Sequence, residues 1–247
     1  MYKFFVSQEQ IQNGEIKIIG EDVNHITNVL RLKKSEKIII CNKNYEVSYV
    51  AEIIELNKEY VKCKIVSEES NSYESKINVD LFQGLPKTDK MEYIIQKSTE
   101  LGVKNIYPVE FERCIVKIDK KSELKKIERW QKIAEVAAKQ SKRDKIPEIK
   151  NIIKLEKVCQ NIKNYDKILV AYEKEDKITL KDEIRKLDKS KKLNIGIVIG
   201  PEGGLSEQEV NVLIANGANV VTLGKRILRT ETASLVILSD IMYEFEL

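Results

Sequence analysis

With one histidine, one tryptophan, four cysteines and four prolines among 247 residues, the chain is short of the side chains that most often ligate metals or staple folds. His25 stands alone, and Cys41, Cys63, Cys114 and Cys159 are scattered without a CxxC pair. No clustered Cys/His set is therefore available for a zinc site. A serine or cysteine nucleophile paired with histidine would have to recruit His25, which no nucleophile motif accompanies. Four dispersed thiols suit a reducing compartment. No apolar run approaches the ~20 residues that span a bilayer; the strongest, Ile195 to Gly200, has the length of a buried strand. Met1 to Glu9 holds too short an apolar stretch for a secretory leader. Metal hydrolases, triad hydrolases, membrane proteins and secreted proteins are set aside, and a cytoplasmic location is expected.

What remains is a well-solvated globular composition, 42% hydrophobic and 33% charged, at a length of one to two domains. The net charge of +4 is small, but it is uneven. Residues 1–75 carry −2, residues 76–150 carry +6, and residues 151–247 are neutral. The excess gathers between Lys117 and Lys150, where a solvated helix face and an RNA-facing patch are both open readings. Lysine occurs 36 times and arginine 7 times, so arginine placement is the sharper signal. Arg226 and Arg229 lie three apart in one short segment, and a planar guanidinium suits phosphate or carboxylate.

Along the chain, the first 70 residues alternate short β-like runs with polar breaks. Strands are expected at Lys37–Cys41, Tyr45–Ile54 and Tyr60–Val66, the last with Val61, Cys63 and Ile65 on one face. Only Asp22 to Leu32 has helical periodicity. Several short strands in this space suggest a small barrel or sandwich. Ser67 to Ser75 is polar and reads as a linker, giving domains at 1–72 and 73–247. Beyond it strands alternate with helices. Strands are expected at Ile77–Phe82, Asn105–Glu110, Lys167–Tyr172, Asn194–Gly200 and Asn219–Gly224. Helices are expected at Asp89–Leu101 with Gly102 as a left-handed cap, from Ser122 as N-cap to Arg143, at Ser206–Asn216, and at Thr230–Glu244. The second helix carries an apolar stripe of Leu124, Ile127, Trp130, Ala134, Ala137 and Ala138. This alternation predicts an α/β fold, a mostly parallel sheet with helices on both faces.

Two segments follow predicted strands and open helices, where open α/β sheets bind ligands. Gly200-Pro-Glu-Gly-Gly-Leu-Ser-Glu-Gln-Glu209 includes a capping box, Ser206 with Glu209. Its glycines permit either a tight turn or close approach of a ligand, although the dinucleotide fingerprint and the P-loop lysine are missing. Leu223-Gly-Lys-Arg-Ile-Leu-Arg-Thr-Glu-Thr-Ala233 offers Thr230 as an N-cap and Glu231 in the first turn. Capping does not explain Ile227-Leu228 between two arginines; that pattern suggests a pocket floor beside an anion-binding rim.

These two segments together resemble the carboxy-terminal motifs of the SPOUT methyltransferases, and more narrowly the RsmE family, which methylates N3 of a uridine in 16S ribosomal RNA. The resemblance extends through Lys90-Met-Glu-Tyr-Ile-Ile-Gln-Lys-Ser-Thr-Glu-Leu-Gly-Val103, Arg129-Trp130, Gln140-Ser-Lys-Arg143 with Pro147, and His25 with Val29-Leu-Arg31. One departure is Lys3, where the family usually carries arginine before the aromatic pair. The resemblance implies a PUA-like barrel for RNA binding and a SPOUT domain whose last strands form a trefoil knot. It also implies a homodimer through that knot, with 16S ribosomal RNA or the small ribosomal subunit as partner and neither metal nor membrane. S-adenosylmethionine would lie among loops after Val170, Gly200 and Leu223, with Gly204, Gly224, Ile227, Leu228, Thr230 and Ala233 contributing. Arg229 is expected to stabilise or position the base or a nearby phosphate, and Glu202 or Glu231 to take the N3 proton. Lys3, His25, Arg31, Lys139, Lys142 and Arg143 are expected to hold RNA. Methylation of another RNA or base atom, and non-catalytic RNA binding on the same fold, are the competing readings.

Overall fold

The computed structural model describes residues 1–43, 47–69, 73–87 and 89–246, so the start of the strand expected from Tyr45 and part of the expected linker lie outside the described residues. The chain divides into two compact units. One comprises 1–74 with 138–146, the other 75–137 with 147–247.

In the first unit six strands form one sheet. They are β1 (Lys3–Val6), β2 (Ile11–Gln12), β3 (Glu15–Ile19), β4 (Lys37–Asn42), β5 (Ser48–Leu56) and β6 (Tyr60–Glu68). Their order is β1-β4-β5-β6-β3-β2, parallel only between β1 and β4. Alternation puts Ile16, Ile18, Ile38, Ile40, Ala51, Ile53, Val61 and Cys63 into one core with Phe4 and Ile26. Register shifts at Val50/Ala51 and Ile53/Glu55 bend the long β5–β6 pair, as extra residues in one strand do. The helix expected from Asp22 to Leu32 is shorter. A single α-turn, α1 (Glu21–Asn24), widens into a π-turn over His25–Val29 and stops before Arg31, whose φ is +53°.

The segment 138–146 is built into this first unit. Ala138 packs with Phe5, Ile39 and Cys41. Arg143 places Nε 3.2 Å and NH2 2.6 Å from the two oxygens of Glu74, and Glu74 Oε1 also accepts from the backbone N–H groups of Asp144 and Lys145. Lys3 Nζ lies 2.5 Å from Asp144 Oδ1.

The second unit is a sheet of β7 (Asn78–Gly84), β8 (Asn105–Glu110), β9 (Glu148–Ile149), β10 (Ile153–Lys154), β11 (Lys167–Ala171), β12 (Asn194–Ile199) and β13 (Asn219–Val221). Its order is β10-β8-β7-β12-β11-β13 with β9 beside β8, and every pairing is parallel. The central strands are buried on both faces, which is why β12 reads as a continuous apolar run rather than an alternating one. Gly196 is required there, since a Cβ would lie 2.2 Å from Ile168 Cδ1.

Helices α2 (Lys90–Glu100), α3 (Lys120–Gln140), α4 (Leu155–Ile162), α5 (Leu180–Ile184), α6 (Glu207–Ala215) and α7 (Thr230–Glu246) follow the strands. The fold class agrees with expectation, and α4, α5, β9 and β10 are additional elements. Three local expectations are corrected. The first turn of α3 is capped by Asp119, whose Oδ1 accepts from the N–H groups of Lys121 and Ser122, so Ser122 lies inside the helix and the helix ends at Gln140. Leu124 is 65% exposed and leaves the apolar stripe that Trp130, Ala134, Ala137 and Ala138 keep. Thr230 spends its hydroxyl sideways on Gly200 O, at 2.6 Å, rather than on a cap.

Candidate active site

At the carboxyl ends of β11, β12 and β13, three loops enclose a cavity of about 490 Å³. Parallel strands deliver their following loops to the same edge, so residues far apart in sequence converge there. The first loop gives Ala171, Tyr172 and Glu173; the second gives Ile199 to Leu205; the third gives Thr222 to Thr230, with Ala233 one turn into α7. Lys90, the first residue of α2, completes the lining.

The walls are fixed by polar contacts. Buried Gln83, near the end of β7, donates from Nε2 to Thr230 Oγ1 at 2.9 Å and accepts from Ser234 Oγ at 2.5 Å. Thr230 in turn donates to Gly200 O. One side chain thereby ties the start of α7 to the glycine loop. The capping box is present, with Ser206 N–H donating to Glu209 Oε2 at 2.9 Å and Glu209 N–H to Ser206 Oγ at 3.3 Å. Glu209 Oε1 also accepts from Glu112 N–H at 2.8 Å, holding the loop after β8. Gly204 sits at φ +70°, and a Cβ there would meet Glu173 Oε1 at 2.7 Å.

Of the residues expected to hold the cofactor, Gly200, Gly204, Leu223, Gly224, Ile227, Leu228, Thr230 and Ala233 line this one cavity. Val170 does not. It is fully buried inside β11, and the lining begins one residue later because the strand must end before its backbone can turn outward. Ile227 is 84% exposed, so it forms part of the rim rather than a floor, while Leu228 is half-buried. Tyr172, Glu173 and Lys90 were missed as site residues. The alternation of strand and helix marked the loop after β11, but nothing in its composition singled out Tyr172 or Glu173; Lys90 opens a motif that carries the resemblance, with no role in the site attached to it.

Arg229 and Glu202 line the cavity. Glu231, in the first turn of α7, is outside the lining but meets it through Lys90, whose Nζ lies 3.2 Å from Glu231 Oε2 and 3.3 Å from Glu202 Oε1. Burial works against the Glu202 anion, yet its own N–H, the N–H of Lys87 at 3.0 Å and the Lys90 ammonium together hold its carboxyl below the usual range. Lys90 is likewise partly desolvated, but the two carboxylates keep its pKa above the ordinary lysine value. Of the four buried side-chain oxygens without a hydrogen-bond partner among the described residues, two belong here, Tyr172 OH and Glu231 Oε2. The Lys90 contact gives Glu231 Oε2 charge without a well-aligned donor.

All six residues expected to hold RNA fall in the first unit. Lys3 and Arg143, each 5% exposed, are engaged by Asp144 and Glu74 and do not reach solvent. Lys139 is paired with Asp22 at 2.8 Å and half-buried. His25 is half-buried, edge-on to the Phe4 ring at 6.1 Å. Arg31 and Lys142 are exposed, and both hold positive φ, +53° and +60°.

Comparison with known proteins adds an independent line. An RNA methyltransferase domain model matches residues 73–242, and an RNA methyltransferase PUA domain model matches residues 18–66. The chain is 39% identical, over 100% of its length and 98% of the relative's, to ribosomal RNA small subunit methyltransferase E of Bacillus subtilis. A ribosomal RNA small subunit methyltransferase E from Neisseria gonorrhoeae, solved bound to S-adenosylmethionine, is 31% identical with a TM-score of 0.85, covering 99% of this chain and 98% of that one. A methyltransferase from Legionella pneumophila, also solved with that cofactor, is 30% identical with a TM-score of 0.85, covering 98% and 97%.

Proposed function

The chain belongs to the ribosomal RNA small subunit methyltransferase E family, and from that premise we propose that it methylates N3 of a uridine in 16S ribosomal RNA, using S-adenosylmethionine held in the three-loop cavity. The observation that carries this reading is convergence: loops after β11, β12 and β13 wall one cavity of about 490 Å³, a volume ordinary for small-molecule sites (roughly 300–1,000 Å³). The residues present fit the cofactor. Tyr172 is part of the lining, and its hydroxyl is buried with no hydrogen-bond partner in the protein; buried polar groups are rarely left so without a ligand or water. Leu223, Ile227 and Leu228 supply apolar surface beside it.

When bound, S-adenosylmethionine supplies an activated methyl, so that the N3–C bond forms as the C–S bond breaks and the electron pair stays on sulfur. The chain must align the base and manage the N3 proton. Arg229, on the cavity lip with its guanidinium exposed, offsets the negative charge that develops on the pyrimidine. Glu231 accepts the proton in preference to Glu202. The Glu202 carboxylate accepts from its own N–H and from Lys87 N–H and is a poor base, whereas Glu231 Oε2 has only the Lys90 ion pair that both glutamates share. The base itself must be unstacked to enter, and the first unit, which matches a PUA domain, binds the RNA around it. A cytoplasmic homodimer with a knotted carboxy-terminal segment is part of this proposal; no helix among the described residues is long and apolar enough to cross a membrane.

Calorimetry with S-adenosylmethionine and mass analysis of ribosomal RNA from cells lacking the protein test this reading. Binding together with a missing methyluridine, restored by the wild-type chain, is expected. Arg229→Ala should lower turnover by about 100-fold and leave the cofactor Kd nearly unchanged; unaltered turnover would remove Arg229 from the mechanism.

A further inference from the structure

Lys90 opens α2, the end of a helix where the backbone dipole is positive and a cation is disfavoured. Its position therefore needs another cause, and the cavity supplies one. The ammonium is shared between Glu202 of the glycine loop and Glu231 of α7 at near-equal distances, 3.3 and 3.2 Å. Remove that ammonium and two carboxylates face each other across a partly desolvated site, a situation that disfavours ionisation of one of them. Glu202 retains its own N–H and that of Lys87. Glu231 Oε2 has no contact of that kind beyond the Lys90 ion pair.

We infer that Lys90 is a positioning residue for methyl transfer, one ammonium that ties the glycine loop to the last helix and holds the Glu231 carboxylate directed for its proton. This inference rests on the assignment of Glu231 as proton acceptor. Other charged groups around the bridge are Lys87, Asp89 and Glu92 at the start of α2, Arg229 before α7, and Glu173, Lys225 and Arg226 of the cavity lining. Glu92 is occupied by Arg129 at 2.8 Å.

The test uses the full chain with Lys90→Met, Lys90→Arg, Glu231→Gln and the Lys90→Met/Glu231→Gln double variant. Readouts are the cofactor Kd by calorimetry, the thermal midpoint, and kcat against pH on 16S ribosomal RNA. Lys90→Met should lower kcat 10- to 100-fold with Kd within about threefold, and move the acidic limb of the kcat profile to higher pH. The upward sign follows because losing a cation raises the carboxyl pKa. Lys90→Arg should restore the limb and most of the rate, and the double variant should be no slower than Glu231→Gln alone.

A slow Glu231→Gln beside a Lys90→Met with wild-type rate and limb overturns the role of Lys90 while the glutamate assignment stands. A Glu231→Gln enzyme with full kcat overturns the glutamate assignment first, and the inference with it. Should Lys90→Met lose cofactor binding or its thermal transition, Lys90→Arg decides. An arginine enzyme that folds and binds cofactor yet keeps a displaced limb means that Lys90 only braces two loops, and the inference fails.

Discussion

Tyr172 shows how a single side chain can carry information about an absent ligand. A phenol hydroxyl buried without a partner costs stability in the free protein and repays that cost only when something accepts or donates to it. The Tyr172→Phe variant separates the two states. The unliganded protein should melt at an unchanged or higher temperature, because the unsatisfied group is gone, while the cofactor Kd should rise about fivefold, the worth of one net hydrogen bond. Scanning calorimetry and titration on the same sample measure both; a lowered midpoint with unchanged Kd would make the hydroxyl structural. Tyr172 was not legible in the sequence, since one tyrosine after a strand has no distinguishing neighbours. Arg229, Glu202 and Glu231 were legible because they sit in two compact motifs. Their linkage was not: Lys90 reaches both glutamates only after the sheet brings β7, β12 and α7 together.

Among the elements, most strands and helices with strong periodicity were read well, but α4 was missed although Leu155, Val158, Cys159 and Ile162 share one helical face; other errors fell where local chemistry competes. Asn105–Glu110 agrees residue for residue, and Ser206 caps α6 as the S-x-x-E pattern predicts. At α3 two capping residues lie three apart, and Asp119 takes the cap because its Oδ1 satisfies two orphan N–H groups at once. The short α5 and the two-residue strands β9 and β10 escaped because they hold too few residues to show a period. The glycines sort by element as well. Gly204→Ala places a methyl 2.7 Å from Glu173 Oε1 at a φ of +70°, which costs on the order of 1 kcal/mol of backbone strain and displaces Glu173 from the cavity wall. Cofactor affinity should fall at least tenfold. Gly196→Ala, inside β12, drives its methyl into Ile168 and should cost ~1–3 kcal/mol of stability. Its Kd should stay unchanged at temperatures where the protein is folded. Denaturant titration and calorimetry on the two variants distinguish a loop that shapes a site from a strand that holds a sheet.

For the whole molecule, the division of the chain differs from a cut in sequence. A polar stretch near Ser70 gave a plausible boundary, and no reading of composition could show that 138–146 returns to the first unit. That return depends on Ala138, Arg143 and Asp144 meeting Phe5, Glu74 and Lys3. It also changes which cations can serve RNA. Lys3 and Arg143 are consumed by buried pairs, and removing one partner of such a pair leaves the other charge uncompensated. Arg143→Ala should therefore lower stability by about 3 kcal/mol and leave the salt dependence of RNA binding as it was. Arg31 and Lys142 are different. Each is exposed, and each keeps a left-handed backbone that a non-glycine residue adopts at a cost. Arg31→Gly and Lys142→Gly should leave stability unchanged or raise it by up to ~1 kcal/mol. Each should also flatten the plot of log K against log salt by about 0.7, the release of one counterion from single-stranded RNA. Filter binding of a 16S ribosomal RNA fragment across a salt series, beside urea unfolding of the same variants, reads both signs. A slope that flattens with Arg143→Ala and holds with Arg31→Gly would place the RNA on a different surface of this unit.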